Sequence, residues 1–297
     1  TGETCDVCED HWMGENCDLC AANFAGPSCD SCASLWSGPN CETYENRLVM
    51  GAYQGCVISI DGQLSCWGAP QDLPGNSEGP FASVSVGIYA SCAVTSDGVL
   101  SCWGEGAEYS GTAGITSVAR GLHSLCLLKT DGTAECPIGS DPNGESSFSA
   151  ITSDNYFACG LAASGAECWT SNGSDYGVAP PPGPFSQIDA GQYHACGIRE
   201  NDEVECWNES YAAQYIGDSP AGPFLQISAG DDQVCGIRQT GELVCWGSKL
   251  WSEQPTGTFQ AVALGGYSGC AVRTNEEIVC WGNSSAGQLE PPFTTVP

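Results

Sequence analysis

Fourteen of the cysteines in this chain form seven pairs at a nearly constant spacing, and this repetition constrains the fold more than any other feature. Six pairs span ten positions and one spans nine, and successive pairs begin 33 to 39 residues apart. A unit of this length cannot bury its own apolar face, so the seven units must stack on one another. The pairs are Cys56 with Cys66, Cys92 with Cys102, Cys126 with Cys136, Cys159 with Cys168, Cys196 with Cys206, Cys235 with Cys245, and Cys270 with Cys280.

Each unit has the pattern of three short strands. In the second repeat, the runs 81–86, 91–95 and 99–104 are rich in Val, Ser and Ala and are separated by glycine-containing breaks. Such runs favour strands over helices. If the paired cysteines lie directly opposite each other in an antiparallel hairpin, each pair is predicted to be a disulfide within one unit.

The same register predicts the turn of each hairpin. Placing Cys56 opposite Cys66 leaves residues 60–62 as a three-residue loop, whose last position needs a left-handed backbone and therefore favours glycine. Four repeats have glycine there, whereas repeats five and seven have Asp202 and Glu276, so we expect less regular turns in those two. The hairpin of repeat four is one residue shorter and needs a different loop.

Two further positions recur in the repeats. A glycine lies five residues before the first cysteine in six repeats, and Asp154 replaces it in the fourth. A tryptophan follows the second cysteine in six repeats, and Pro137 replaces it in the third. Because aromatic burial dominates such cores, we expect the tryptophans to pack between units, with a row of ligand-binding aromatics as the alternative.

These patterns resemble the regulator-of-chromosome-condensation repeat family. The resemblance is clearest in Trp-Gly-Asn-Ser-Ser-Ala-Gly-Gln-Leu at 281–289 and in the recurring Asp-Gly-x-x-x-Cys-Trp-Gly run. It implies an all-β fold, a seven-bladed β-propeller over residues 45–297, similar to secreted bacterial members with three-stranded blades. The segment 293–296 repeats the opening of a unit and is predicted to close the ring on the first blade, with 47–50 as the competing segment.

Residues 1–44 form a different, cysteine-rich segment with a period of 12 residues. The pattern resembles tandem epidermal-growth-factor-like and laminin-type modules, and we interpret the segment as a disulfide-rich stalk. By that resemblance the bonds would be Cys8–Cys17, Cys20–Cys29 and Cys32–Cys41. Zinc binding by the Cys-x-x-Cys spacings is the alternative.

One cysteine remains if all of these pairs form, and Cys5 is the candidate. Its partner would be either an upstream cysteine of the same chain or a cysteine of another subunit, which would link subunits covalently.

The charge of the chain excludes several classes of partner. Asp and Glu number 36 against 7 Lys and Arg, a net charge of −29. A nucleic-acid partner requires a basic face, and anionic membranes repel such a chain. The cysteine content and the start at Thr1 predict a mature protein secreted into an oxidising compartment, at the cell surface or outside the cell, without membrane insertion.

The sequence has no recognisable catalytic motif, and we predict that the protein is not an enzyme. His123 and His194 lie near the repeat glycines, at positions where other repeats have tyrosine, which favours a structural or groove-lining role. Acidic clusters at 231–232, 200–203 and 276–277 are read as solvated surface, with Ca²⁺ binding as the alternative. Glycosylation sequons occur at Asn172, Asn208 and Asn283.

These observations favour a non-catalytic extracellular structural or interaction protein. It would self-assemble into a homo-oligomer, polymer or surface filament, or bind an extracellular protein or glycan. The first alternative is an inhibitor or receptor propeller that binds a foreign protein, as in a relative that inhibits β-lactamases. The second is a hydrolase that uses carboxylates on the rim of the propeller.

Overall fold

The computed structural model describes residues 48–291, with gaps at 60, 70–78, 143–145, 156, 171–178, 209–215 and 248–252, together with six two-residue strands before them. Those six strands form three antiparallel pairs that repeat every 12 residues. They are β1 (Trp12–Met13), β2 (Leu19–Cys20), β3 (Phe24–Ala25), β4 (Ser31–Cys32), β5 (Trp36–Ser37) and β6 (Thr43–Tyr44). At least one cysteine of each disulfide predicted in this segment lies outside the described residues.

Seven three-stranded antiparallel sheets follow, each made of three consecutive strands, and we number them as blades one to seven. The first strands are β7 (Leu48–Met50), β10 (Phe81–Val86), β13 (Ile115–Arg120), β16 (Phe148–Ser153), β19 (Phe185–Ala190), β22 (Phe224–Ala229) and β25 (Phe259–Leu264). The second strands are β8 (Gln54–Ile58), β11 (Ala90–Thr95), β14 (Leu125–Lys129), β17 (Phe157–Ala162), β20 (His194–Arg199), β23 (Gln233–Arg238) and β26 (Ser268–Arg273). The third strands are β9 (Leu64–Gly68), β12 (Leu100–Gly104), β15 (Ala134–Ile138), β18 (Gly165–Thr170), β21 (Val204–Asn208), β24 (Leu243–Gly247) and β27 (Ile278–Gly282).

The first strands form the inner wall of a closed ring. Each first strand contacts the first strand of the next blade, and β25 of blade seven contacts β7 of blade one. The predicted all-β, seven-bladed propeller is therefore confirmed. A 3-10 turn at Ala107–Tyr109 follows blade two.

A disulfide joins the second and third strands in every blade, with the pairing that the cysteine spacing predicted. From blade one to blade seven, the bonded residues are Cys56 with Cys66, Cys92 with Cys102, Cys126 with Cys136, Cys159 with Cys168, Cys196 with Cys206, Cys235 with Cys245, and Cys270 with Cys280. The covalent links are therefore local to each blade.

The geometry of these bonds follows from the strand register. In six of the blades the two cysteines are direct cross-strand partners. Blade three departs from this pattern, because its register shifts between Leu125 and Leu127, around Cys126, and Cys136 is not paired directly with it. In all seven bonds the Cα atoms are 4.0–4.1 Å apart. In the six blades with direct partners, this short distance suits a cross-strand pair without mutual backbone hydrogen bonds.

The predicted hairpin register is confirmed in blade one. Val57 faces Ser65, Ile58 faces Leu64, and the backbone N–H of Gly62 donates to the carbonyl of Ser59 at 2.9 Å. Gly62 has a φ of 82°, as the left-handed turn position requires. In blade four, Ala162 faces Gly165, so the shorter hairpin has a different, two-residue loop, as predicted.

The expectation of less regular turns in blades five and seven is wrong. Asp202 and Glu276 adopt the left-handed conformation themselves, with φ of 61° and 70°. Their backbone N–H groups donate to the carbonyls of Arg199 and Arg273 at 2.9 Å, as Gly62 does in blade one. The disulfide-linked strands hold the turn geometry, and the non-glycine residues accept the less favourable backbone conformation.

The predicted packing of the tryptophans between blades is confirmed. Trp207 of blade five, for example, is buried in a cluster with Cys159 and Leu161 of blade four, and its ring lies 5.3 Å from that of Phe185. In blade three, where Pro137 replaces tryptophan, Tyr109 of the 3-10 turn packs against the cluster between blades two and three.

Ring closure joins blade seven to blade one without a shared sheet. Leu48 and Trp67 of blade one pack in one cluster with Val272 of blade seven, and the indole N–H of Trp67 donates to the carbonyl of Gln288 at 2.9 Å. The first-strand position of blade one is occupied by Leu48–Met50, which belongs to the competing segment. The segment 293–296, which we predicted to close the ring, lies outside the described residues.

Candidate functional site at the mouth of the central channel

The repeat glycines form a ring where the inner strands end. A Cβ atom on Gly51 would lie 2.7 Å from the carbonyl oxygen of Gly87, and one on Gly265 would lie 2.0 Å from that of Gly51. Real Cβ atoms do not approach so closely, and the φ angles at these positions are not left-handed, so glycine is required for space alone. The recurring glycine of the sequence thus lets neighbouring blades meet around the channel.

Asp154 occupies the one ring position that is not glycine. A Cβ atom on Gly121 would lie 2.1 Å from the Asp154 carbonyl oxygen, so the backbone of Asp154 continues the ring. Its carboxyl group adds a titratable side chain at a position where six blades have none.

Beside this ring lies a cavity of about 750 Å³, the central channel, lined by residues from all seven blades. The loops after the ring glycines form the channel mouth. Tyr53, Tyr89 and Tyr267 line it from blades one, two and seven, and His123 lines it from blade three. Tyr89 and Tyr267 are 59% and 37% exposed, and they are the exposed large hydrophobic side chains in the described part of the chain. Exposed aromatics gathered at one cavity are typical of a recognition surface.

Acidic side chains line the opposite side of the channel. Asp154, Asp189 and Asp231 come from the adjacent blades four, five and six. Burial raises the pKa of Asp154 well above its usual value, and the negative charges of Asp231 and Asp189 raise it further, whereas the backbone N–H of Asn155 lowers it. The site therefore resists ionisation of Asp154 and favours a positive group nearby.

Asp189 has a different role, because it joins blades. Its carboxylate accepts hydrogen bonds from the Thr152 hydroxyl at 2.9 Å and from the backbone N–H of Ala229 at 2.8 Å. Burial raises the Asp189 pKa, and these hydrogen bonds offset part of that effect. Asp189 thus connects blades four, five and six.

The link made by Asp189 is one case of a repeated device. In four blades, the side chain two residues before the ring position accepts a hydrogen bond from a backbone N–H of the next blade. These side chains are Ser85, Thr152, Asp189 and Ser228. The inner strands are the edges of their sheets, and a buried backbone N–H group without a hydrogen-bond partner there would destabilise the fold. These side chains supply the missing acceptors.

Two glutamines reinforce the same junctions. The Gln226 amide donates to the Val262 carbonyl at 2.8 Å and accepts from the Val262 backbone N–H at 2.8 Å. Gln187 makes the same pair of bonds with Ile227, each at 3.0 Å. Each glutamine side-chain amide makes the pair of backbone hydrogen bonds that a neighbouring strand would otherwise make.

His123 and His194, which the sequence analysis assigned to the same kind of position, have different environments in the structure. His123 is exposed at the channel mouth, which fits a groove-lining role. His194 is fully buried, and burial lowers its pKa to about 4, so it is neutral and structural at physiological pH.

The other predicted site residues do not converge on the channel, apart from Asp231 of the acidic pairs. Glu276 and Glu277 lie at a hairpin turn, at the opposite end of the strands from the ring glycines. No three His, Cys, Asp or Glu side chains among the described residues form a group suited to a metal ion. Cys5 and Asn172 lie outside the described residues, Asn208 is described only in its backbone, and Asn283 lies in the exposed loop after blade seven.

Sequence reasoning named Asp154 as a departure from the repeat and Asp231 as part of an acidic pair, but it missed Asp189 and did not predict that the three acids line one channel. The replacement of glycine by Asp154 was visible as a departure from the repeat, and that was the signal available. Asp189 had no such signal, and nothing in the repeat pattern brings Asp154, Asp189 and Asp231 to the same side of the channel.

Comparison with known proteins agrees with this geometry. A model of the regulator of chromosome condensation (RCC1) repeat matches residues 259–288. The ectodomain of the receptor kinase CR4 from Physcomitrella patens is 25% identical, with a TM-score of 0.68, over 80% of this chain and 72% of that one. The CRINKLY WD40 ectodomain of the Arabidopsis thaliana receptor kinase ACR4 is 22% identical, with a TM-score of 0.67, over 83% of this chain and 98% of that one.

A further solved structure has a similar fold. Prp20p from Saccharomyces cerevisiae is 13% identical, with a TM-score of 0.57, over 73% of this chain and 75% of that one. Together with the repeat match, this supports an RCC1-like repeat propeller. It is a disulfide-rich propeller, with one disulfide in each blade. In the described residues, no helix is both long and apolar enough to cross a membrane.

Proposed function

We propose that this protein is a non-catalytic extracellular interaction propeller that binds a protein partner through the face carrying the channel mouth. One observation carries the proposal: the exposed aromatic side chains Tyr89 and Tyr267 lie at the same cavity as the acidic group of Asp154, Asp189 and Asp231. Aromatic anchors beside a cavity are typical of protein-binding surfaces.

The likeness to a receptor-kinase ectodomain supports an extracellular interaction role. The seven disulfides point the same way, because disulfides form and persist in oxidising compartments. The net charge of −29 favours a basic partner over an acidic one.

A capture experiment with a paired variant tests the proposal. Immobilised wild-type protein and a Tyr89→Ala/Tyr267→Ala double variant are exposed to the extracellular fraction of the source. We expect the wild type to retain a stoichiometric protein partner that the double variant loses. A Thr274→Ala variant, altered in an exposed strand-end residue away from the mouth, is the control and retains the partner.

Retention of the partner by the double variant would overturn the proposal. Capture of glycan without protein would do the same, in favour of the glycan reading of the sequence. Turnover of a glycoside that is lost in Asp154→Asn would establish the hydrolase alternative instead.

We further propose that residues 1–44 form a separate stalk of epidermal-growth-factor-like or laminin-type character, ahead of a propeller domain at 45–297, in a secreted bacterial-like protein. The proposed stalk disulfides are Cys8–Cys17, Cys20–Cys29 and Cys32–Cys41. The 12-residue repetition of the strand pairs from β1 to β6 supports this division. Proteolysis at the boundary, followed by disulfide mapping of each fragment, tests it; a bond between the fragments would contradict it.

Assembly through the stalk is a second proposed function, carried by the odd number of 21 cysteines. Cys5 would join two subunits, and the joined propellers would form an oligomer or filament. Comparison of reducing and non-reducing gels of wild type and Cys5→Ser tests this. A monomer in every lane would refute it.

A further inference from the structure

The channel mouth has two chemically different halves. Tyrosines line the side formed by blades seven, one and two, and carboxyl groups line the side formed by blades four, five and six. These two sets of adjacent blades face each other across the ring. A ligand bound between them would meet aromatic rings on one side and negative charge on the other.

The described Lys and Arg side chains are already engaged in ion pairs. Each of the five described Lys and Arg side chains forms an ion pair with a glutamate. Arg120 lies in the channel lining, where its guanidinium also donates to the carbonyls of Gly121 and Ser124. The pairs are Arg120–Glu105, Lys129–Glu135, Arg199–Glu205, Arg238–Glu242 and Arg273–Glu277. None of these five ion pairs uses the Asp154 carboxyl group, so a cation from outside the chain can meet it in the channel.

The kind of cation follows from the surroundings of Asp154. A metal ion needs several converging ligands, and the described residues contain no such group. An alkylammonium or guanidinium group needs one carboxyl group as a hydrogen-bond acceptor and gains from contact with aromatic faces, and the channel is lined by both kinds of group. The volume of about 750 Å³ suits a side chain or a short loop, not a folded domain.

We propose that the channel mouth binds an alkylammonium or guanidinium group supplied by a lysine or arginine side chain of the protein partner. In this proposal the Asp154 carboxyl group accepts hydrogen bonds from the N–H groups of that cation, Asp231 adds to the negative potential, and Tyr89 and Tyr267 line the opposite side of the mouth, where the rest of the partner segment lies. The inference rests on the proposed function, because it names the chemistry by which the partner is recognised.

A peptide-binding experiment on the full chain tests the inference. The probes are fluorescent acetylated pentapeptide amides, Gly-Gly-X-Gly-Gly, in which X is Lys, Arg, Ala or Glu, together with free cadaverine as a competitor. We expect saturable binding of the Lys and Arg peptides only, weakened by added salt. Asp154→Asn is expected to weaken that binding about tenfold or more.

The matched control is Glu276→Gln, which makes the same change of charge at an exposed turn at the other end of the strands. It is expected to bind the Lys peptide as the wild type does. Circular dichroism of both variants confirms that each one is folded.

Three results would overturn the inference. They are equal binding of the Lys and Ala peptides, equal effects of Asp154→Asn and Glu276→Gln, and cadaverine binding as tightly as the Lys peptide. The last would assign the site to free amines rather than to a protein side chain. If the captured partner depends on Tyr89 and Tyr267 but not on Asp154, the proposed function stands and this inference fails.

Discussion

At the scale of single residues, Asp154 is the departure from the repeat with the largest consequence. Six blades place glycine in the ring because neighbouring backbones touch there, and the fourth places a carboxyl group in the same ring. A residue that breaks a structural repeat at some energetic cost is a candidate for function, because local rules are broken most often at functional sites.

The raised pKa of Asp154 has a consequence for stability. The folded protein binds the Asp154 proton more tightly than the unfolded chain does, so stability falls as pH rises from the unfolded pKa of 3.8 through the higher folded pKa. We expect Asp154→Asn to unfold at a higher temperature than the wild type at pH 7. This difference should shrink as the pH falls towards 3.8 and vanish below it, where Asp154 is protonated in both the folded and the unfolded chain.

Thermal unfolding of both proteins between pH 4 and pH 8 measures this effect, with Glu276→Gln as the control of equal charge. A difference that is constant across the pH range would show that the gain does not come from ionisation. Asp154→Asn is also expected to bind the Lys peptide more weakly, so this one substitution would raise stability and reduce binding.

Glu276 is a second informative residue, because it has a φ of 70° at a position where glycine occurs in four other blades. Replacing it with glycine removes the strain of a left-handed side chain, for an expected gain of about 1 kcal/mol in the free energy of unfolding. Glu276→Ala keeps the strain and should show no such gain. Chemical denaturation of the two variants checks this, and equal stabilities would contradict it.

At the scale of elements, the junction between blades depends on polar side chains as well as on the tryptophan clusters. Gln226 is buried and makes both of its hydrogen bonds to the backbone of Val262 in the next blade. The first strand of a blade is an edge strand, and Gln226 substitutes for the missing neighbour.

Gln226→Ala would leave the Val262 backbone N–H and carbonyl unsatisfied. We expect a loss of roughly 2–4 kcal/mol in the free energy of unfolding, because each buried unpaired group costs about 1–3 kcal/mol. Amide hydrogen exchange at Val262 should also become faster. Gln63→Ala, at an exposed hairpin turn, is the control and should change neither measurement.

The disulfides are elements of a different kind. Each closes a hairpin whose register is also set by its turn, so the seven bonds stabilise units that are local in the chain. No disulfide joins two blades among the described residues. The blades are instead held together by non-covalent contacts, including the packing of a tryptophan against the preceding blade.

At the scale of the whole molecule, the described residues close the ring by packing between blades seven and one and by the hydrogen bond from the Trp67 indole to the Gln288 carbonyl. Gly265 lies at this closure, and a Cβ atom there would lie 2.0 Å from the carbonyl oxygen of Gly51. The equivalent distance at Gly230, between blades six and seven, is 2.8 Å. Closure therefore leaves less room than the neighbouring junction.

Gly265→Ala is expected to destabilise the protein by about 1–3 kcal/mol, as overpacking does in other tight interiors. Gly230→Ala should destabilise it less, because its contact is looser. Denaturant unfolding of the two variants gives the comparison. The reverse order would show that the closure leaves no less room than the junction between blades six and seven.

Local information in the chain determined the number of blades, the disulfides within them, the hairpin register and the packing of tryptophan between blades. Each of these depends on residues no more than about one repeat apart, where spacing alone decides which atoms meet. The turns at Asp202 and Glu276 were predicted wrongly, because the strands around them enforce a backbone that the residues themselves disfavour.

Only the tertiary structure decided what the channel contains. Asp154, Asp189 and Asp231 lie 35 and 42 positions apart in the chain, and they share one side of a cavity because blades four, five and six are consecutive in a closed ring. The tyrosines opposite them come from both ends of the propeller and meet only when blade seven packs on blade one. Repetition in the sequence sets each blade, but the rotation of one blade against the next sets the site, and that rotation is fixed by packing between residues from different repeats.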